Sequence, residues 1–197
     1  MNIINKAREL LVRQSTDRFG FSSFRTDICN IKYPDVILFD TFTGYAASVG
    51  IPADIFDCFK DGATIPAQSA RCGAVYIVLT RVKPSGREEA EFRRANWTAA
   101  HEVGHVMLQH NSDDDDEERE ADLFASEFLM PELVLLELSR RLGRELHTAE
   151  VTRLFSVSTT AARIRLDTLK RRSRFSTYLQ EELLDKYNNL INNYTGK

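Results

Sequence analysis

The sequence predicts an α+β fold, in which a small mixed sheet with helices is followed by an all-helical module. Two short apolar runs, 35–40 and 73–80, are typical of strands, and the second is rich in β-branched and aromatic residues. From about residue 88 onward, apolar residues recur at helical spacing instead. A chain of 197 residues can bury one good core and carry a small second unit. We therefore predict a first domain over 1–135 and a helical module over 136–197.

Charge is distributed unevenly along the chain. Residues 139–174 contain ten basic and three acidic residues, a net charge of +7, whereas the whole chain carries −3. This asymmetry favours different partners for the two parts, and it makes DNA binding possible for the basic segment. The three cysteines stand far apart without a Cys-x-x-Cys pair, which is typical of a reducing compartment. No apolar run approaches about 20 residues, so we expect a cytoplasmic protein with no membrane partner.

The first part of the chain mixes helical and extended patterns, separated by Gly, Pro and Ser. Residues 44–50 fit neither pattern clearly. The elements predicted in chain order are a helix over 2–14, a break at Gly20, a strand over 35–40, a short helix over 51–61, a loop over 60–72, a strand over 73–80 and a turn at 84–86.

The second part is predicted to be helical throughout. A long helix over 88–109 leads into an acidic loop, and Ser112 or Asp113 is the predicted N-cap of the next helix. Pro131 ends that helix and begins another. The remaining predicted helices cover 131–142, 149–155, about 158–173 and 176–197. The pair around the turn at Ser156-Val157 resembles a helix-turn-helix.

A metal-binding pattern lies inside the long helix. His101, Glu102 and His105 form His-Glu-x-x-His. Residues four apart share one face of a helix, so both histidines can reach a single ion, with the glutamate beside it as a general base. A catalytic zinc takes three protein ligands and leaves one position for water. We therefore predict one catalytic Zn²⁺, or another divalent metal, and a third ligand elsewhere.

The acidic helix after the loop is the predicted source of that third ligand. Its candidates are Glu117, Glu118, Glu120, Asp122 and Glu127. Glu118 is the first choice because it lies on the alanine-lined edge of the apolar face, where helices can approach closely. Glu120 is the second choice. Asp122, four residues after Glu118, could hydrogen-bond a ligand histidine instead.

Two segments carry a resemblance to a known family. Arg94–His105 and Glu118–Pro131 are similar to the signature of the ImmA/IrrE metallopeptidases. There, a His-Glu-x-x-His helix is followed by Glu-x-x-Ala-(Asn/Asp)-x-Phe-Ala-x-x-Leu-Leu-Met-Pro. Phe128 stands where leucine is usual. The segment Phe155-Ser-Val-Ser-Thr-Thr-Ala161 also fits the family's helix-turn-helix-like part, so the resemblance covers about residues 70–170.

The resemblance implies a zincin-like peptidase domain with Glu118 as third ligand, followed by a helix-turn-helix-like module. It also implies a zinc-dependent endopeptidase that cleaves a helix-turn-helix transcriptional repressor and so derepresses genes of a mobile element or stress response. Strand 73–80 is then the expected sheet edge, where a peptide substrate adds as a further strand.

Other functions remain open at this point. The basic segment 139–174 favours a non-catalytic DNA-binding or anti-repressor protein as the alternative, and a peptidase-like component of a toxin–antitoxin pair is a third possibility. Among further candidates, His110 and His147 are predicted to be surface histidines. Tyr76 is predicted to be an ordinary strand residue, and Trp97 to pack in the core.

Overall fold

The computed structural model of the chain describes residues 2–14, 21–59, 61–69, 73–83, 89–112 and 114–196. The predictions at Gly20, Asp113 and the turn 84–86 lie outside these residues. The chain groups into two compact units, one formed by Asp27–Asp122 and the other by Met1–Thr26 with Leu123–Lys197. The division into domains at residue 135 stays a prediction.

The helices follow the predicted pattern closely, and one further α-helix appears in the ambiguous stretch 44–50. Two 3₁₀ helices, Ile28–Asn30 and Ala53–Cys58, also occur among the described residues. The α-helices are α1 (Ile3–Arg13), α2 (Phe42–Val49), α3 (Glu89–Leu108), α4 (Asp115–Leu129), α5 (Glu132–Leu142), α6 (Thr148–Phe155), α7 (Thr159–Arg171) and α8 (Gln180–Thr195). None of these helices is long and apolar enough to cross a membrane.

Three strands form one mixed sheet: β1 (Val36–Thr41), β2 (Gly62–Ser69) and β3 (Gly73–Thr80). β3 lies in the middle, parallel to β1 and antiparallel to β2. Two predictions were therefore wrong. Most of the predicted loop 60–72 is strand β2, and the predicted edge strand 73–80 is central. Gly, Ala and Pro have low strand propensity, so pairing with β3 decides the structure of β2, and this pairing is not visible in local sequence.

The two faces of β2 serve different neighbours because side chains alternate along a strand. Ala63 and Ile65 point to an apolar cluster with Phe42, Phe56 and Leu79. Thr64, between them, points to the opposite side, and its hydroxyl reaches the carboxylate of Glu102 on α3. β2 therefore connects the apolar core of this unit to the helix that carries the metal-binding pattern.

The unit formed by Met1–Thr26 with Leu123–Lys197, which we call the helical unit, contains a cluster of five charged residues, four of them buried. Arg8 on α1 donates to Glu127 at 2.8 Å and to Glu132 at 2.6 Å, and all three side chains are fully buried. Arg165 on α7 also pairs with Glu127, and Arg172 donates to Glu132 at 2.7 Å. Three guanidinium groups thus face two carboxylates, which ties α1, α4, α5 and α7 together.

The α6–α7 pair has the predicted helical boundaries. Ser158 caps α7, because its hydroxyl accepts a hydrogen bond from the N–H of Ala161 at 3.1 Å. Ser156 adopts a left-handed conformation, which ends α6. The identification of this pair as a helix-turn-helix-like module stays a prediction.

A half-buried ion pair on α5 is expected to make stability depend on acid pH. Hydrogen bonds from Arg140 and Arg141 outweigh partial burial and lower the pKa of Glu137 from 4.5 to about 2. The stabilisation is therefore complete above pH 4.5 and is lost as the pH falls towards 2. We expect Glu137→Gln to lower the free energy of unfolding near pH 6 but not near pH 2. Urea unfolding of both proteins across this range measures the difference, and a difference independent of pH would contradict it.

Candidate metal centre

α3 presents both histidines of the metal-binding pattern on one face. The Nε2 atoms of His101 and His105 lie 3.0 Å apart, and each Nδ1 atom points away from the other ring. The opposite face of the helix is buried, with Ala99, Ala100 and Val103 fully inaccessible. α3 is thus held by its apolar face, and two ring nitrogens converge on one point at its half-exposed face.

Glu118 on α4 completes this group. Its carboxylate oxygens lie 3.3 Å from Nε2 of His101 and 3.5 Å from Nε2 of His105. One donor atom from each of the three residues fits within 4.8 Å of the others. Two imidazole nitrogens and one carboxylate are a common donor set of catalytic zinc sites, so the residues present fit a divalent metal ion.

The other acidic candidates have different partners. Glu117 accepts hydrogen bonds from backbone N–H groups of the preceding loop. Glu127 lies in the buried ion cluster, and Glu120 contacts His110. Asp122 accepts from Nδ1 of His101 at 2.9 Å. A helix turns about 100° per residue, so Glu118 and Asp122 lie on one face of α4 and Glu120 lies on another. This difference distinguishes Glu118, the first choice of third ligand, from Glu120, the second.

Asp122 orients His101. Burial lowers the pKa of this histidine, but the hydrogen bond and charge of Asp122, with the charges of Glu102 and Glu118, raise it by more. The result is a raised pKa. With Nδ1 bound to the carboxylate, Nε2 is the nitrogen left to face Glu118 and the centre of the group.

Two residues of β2 shape the position of Glu102. Thr64 Oγ1 donates to Glu102 Oε2 at 2.8 Å. A β-carbon added to Gly62 would lie 2.8 Å from Glu102 Oε1 and 2.6 Å from the methyl group of Thr98, so only glycine leaves room for the carboxylate. Sequence reasoning missed both residues, because they lie in the stretch predicted as a loop.

His110 is the clearest correction among the predicted surface residues. Its side chain is only 5 % exposed, and its two ring nitrogens contact His105 at 3.1 Å and Glu120 at 3.2 Å. His147, by contrast, is exposed at the start of α6, as predicted. A helix-ending turn at Gln109 brings His110 back onto the helix, and Gln109 is not a residue type that signals such a turn.

A cleft of about 1070 Å³ contains the whole group. β2 forms one wall, while α3 and the start of α4 form the other. Tyr76 and Trp97 line it together with Phe59, so both predicted structural aromatics also face the cleft. Trp97 is half-buried, which corrects its prediction as a core residue.

These features define a metallopeptidase-like site, with a His-Glu-x-x-His helix and a glutamate from the next helix. Residues 88–167 match the model of the IrrE N-terminal-like domain, a peptidase family named Peptidase_M78. This match confirms the resemblance to the ImmA/IrrE family, and it indicates a peptidase that uses a metal ion. Searches of curated proteins and of solved structures find no match.

Proposed function

We propose that this protein is a zinc-dependent endopeptidase. The observation that carries the proposal is the convergence of His101, His105 and Glu118 within 4.8 Å, in a cleft that Glu102 also lines. His101, His105 and Glu118 would hold the ion. When bound, zinc supplies Lewis acidity that polarises a peptide carbonyl and makes an attacking water more acidic.

The chain's own residues would handle the proton. Glu102 is not among the three converging donors, and its carboxylate would act as the general base. It would accept a proton from the attacking water and later pass it to the leaving amine. Thr64 would hold Oε2 of this carboxylate through its hydroxyl.

β2 is an edge strand of the sheet that the described residues form, and its side away from β3 is the proposed position for an extended substrate. Pro66 has no N–H and stands opposite Tyr76, so this pair is a non-hydrogen-bonded one. Because the two kinds of pair alternate, the backbone N–H and C=O of Thr64 then point away from β3. They can bind a peptide added as a further strand next to Glu102.

We propose a helix-turn-helix transcriptional repressor as the substrate, and the family resemblance is what supports this choice. The test incubates the zinc-loaded protein with a repressor encoded by a neighbouring open reading frame. A library of unfolded peptides serves as a general probe, and mass spectrometry detects the products. Specific cleavage that requires zinc supports the proposal. Hydrolysis of neither probe would contradict it.

Replacing Thr64 by valine is expected to slow hydrolysis without weakening substrate binding. The variant removes a hydrogen bond to a charged group, and such bonds contribute about 1.5–3 kcal/mol, so kcat should fall roughly 10-fold or more. KM and zinc content should stay unchanged. Thr64→Ser keeps the hydroxyl and should retain most of kcat. A valine variant with the serine variant's kcat would show that the contact has no role.

DNA binding through 139–174 is the alternative function, and the ion pairs of this segment count against it. Seven of its ten basic residues pair with carboxylates of the chain. Arg165 is buried and cannot reach a phosphate. A gel-shift salt series tests the alternative, since phosphate contacts produce a steep decrease of affinity with salt. We expect only weak binding.

A further inference from the structure

We propose that His110 and Glu120 form a hydrogen-bonded relay behind His105, which fixes the ring and the tautomer of His105 for metal binding. The inference rests on the metal site of the proposed function. It concerns positioning residues, because neither side chain belongs to the three converging donors. The two ligand histidines would then be supported differently, His101 by a carboxylate directly and His105 by a carboxylate through a second histidine.

The backbone builds this contact. Gln109 has a left-handed conformation with φ of 61°. Its N–H donates to the carbonyl of Val106, and the N–H of His110 donates to the carbonyl of His105 at 3.0 Å. These two bonds form a Schellman motif, in which the residue after the left-handed one lies against the residue five positions earlier. The helix therefore ends by placing the His110 ring on the His105 ring.

The ring nitrogens then determine where each proton lies. A nitrogen that binds a cation carries no proton, so His105 with Nε2 at the centre must carry its proton on Nδ1. Nδ1 of His110 lies 3.1 Å away, and a hydrogen bond between two nitrogens holds one proton. His105 supplies that proton, so Nδ1 of His110 must be the acceptor.

The remaining proton of His110 is thereby assigned to Nε2. This nitrogen lies 3.2 Å from Oε2 of Glu120, which can accept the hydrogen bond. The opposite arrangement fails, since a proton on Nδ1 of His110 would require an unprotonated Nδ1 on His105 and a proton on its Nε2. That tautomer could not bind an ion through Nε2. The His110 side chain is 5 % exposed, which limits the access of water to its contact with His105, whereas the Glu120 side chain is 48 % exposed.

One helix would thus support the whole centre. α4 supplies Glu118 to the group itself, Asp122 to His101 and Glu120 to the relay. Asp116, on the same helix, has an 89 % exposed side chain and pairs with Arg119 instead. It offers a matched control, because its removal changes the charge of α4 without touching the relay.

Titration of the metal-free protein with Zn²⁺ alone tests the relay by calorimetry. We expect His110→Ala and Glu120→Ala each to weaken zinc binding about 10- to 100-fold. Asp116→Ala should bind like the wild type. Glu120→Gln should recover most of the affinity, because its amide oxygen can still accept from Nε2. Circular dichroism checks that each variant folds. If His110→Ala does not fold, the Glu120 variants still test the relay, because Glu120 is half-exposed and its substitution leaves the core unchanged.

The second readout is the tautomer itself. In the zinc-loaded protein, ¹⁵N NMR of the imidazole rings should show His110 with its proton on Nε2 and His105 with its proton on Nδ1. A protonated Nδ1 on His110 overturns the relay, as does equal zinc affinity of the Glu120→Ala and Asp116→Ala variants. A wild type that binds no zinc overturns the relay and the metal site together. If the variants lose zinc affinity as expected but the wild type hydrolyses no peptide, the relay is supported and the proposed peptidase function is contradicted.

Discussion

Glu102→Gln is expected to slow peptide hydrolysis by orders of magnitude while leaving metal binding intact. Glutamine fills the same space and can still accept from Thr64, but it cannot take a proton from water. General acid–base groups contribute about 10²- to 10⁴-fold, so kcat should fall by that factor. The measurement pairs a cleavage assay on the peptide library or repressor with zinc titration of the same preparation.

His101→Ala is the matched comparison, because it should lose both zinc affinity and hydrolysis. A Glu102→Gln variant that hydrolyses at the wild-type rate would exclude Glu102 as the base. If this variant also derepresses genes in cells as well as the wild type, proteolysis is not the biological activity. The binding alternative would then be preferred.

Glu127→Gln is expected to lower the free energy of unfolding by about 3–5 kcal/mol, the usual cost of removing one partner from a buried ion pair. Glu127 faces the guanidinium groups of Arg8 and Arg165, and all three side chains are essentially inaccessible. The variant removes the carboxylate partner of the buried Arg165 and leaves the buried Arg8 with Glu132 alone, which it shares with the partly exposed Arg172. Urea unfolding followed by circular dichroism measures the loss.

Glu181→Gln is the control for this prediction. Glu181 lies exposed on α8, and its substitution makes the same chemical change outside the cluster. We expect its free energy of unfolding to stay within about 0.5 kcal/mol of the wild type. If the two variants are equally stable, the cluster does not hold the helical unit together.

Much of the fold was predictable because helices are encoded locally. The spacing of apolar residues and the position of Pro131 predicted α3, α4 and α5 to within a few residues. The sheet was only half predictable. β3 carries its own β-branched sequence, whereas β2 depends on its partner strand, so the edge of the sheet was assigned to the wrong strand.

The metal site, too, was predictable only in part. The His-Glu-x-x-His spacing alone puts His101 and His105 on one helical face, and the acidic helix alone limits the third donor to a few carboxylates. The sequence by itself therefore determined the chemistry of the site. Only the tertiary structure decided that Glu118 converges on the histidines and that Thr64 and His110 stand behind Glu102 and His105. These contacts join a strand, a helix-ending turn and a second helix, and no local pattern records which side chains such elements bring together.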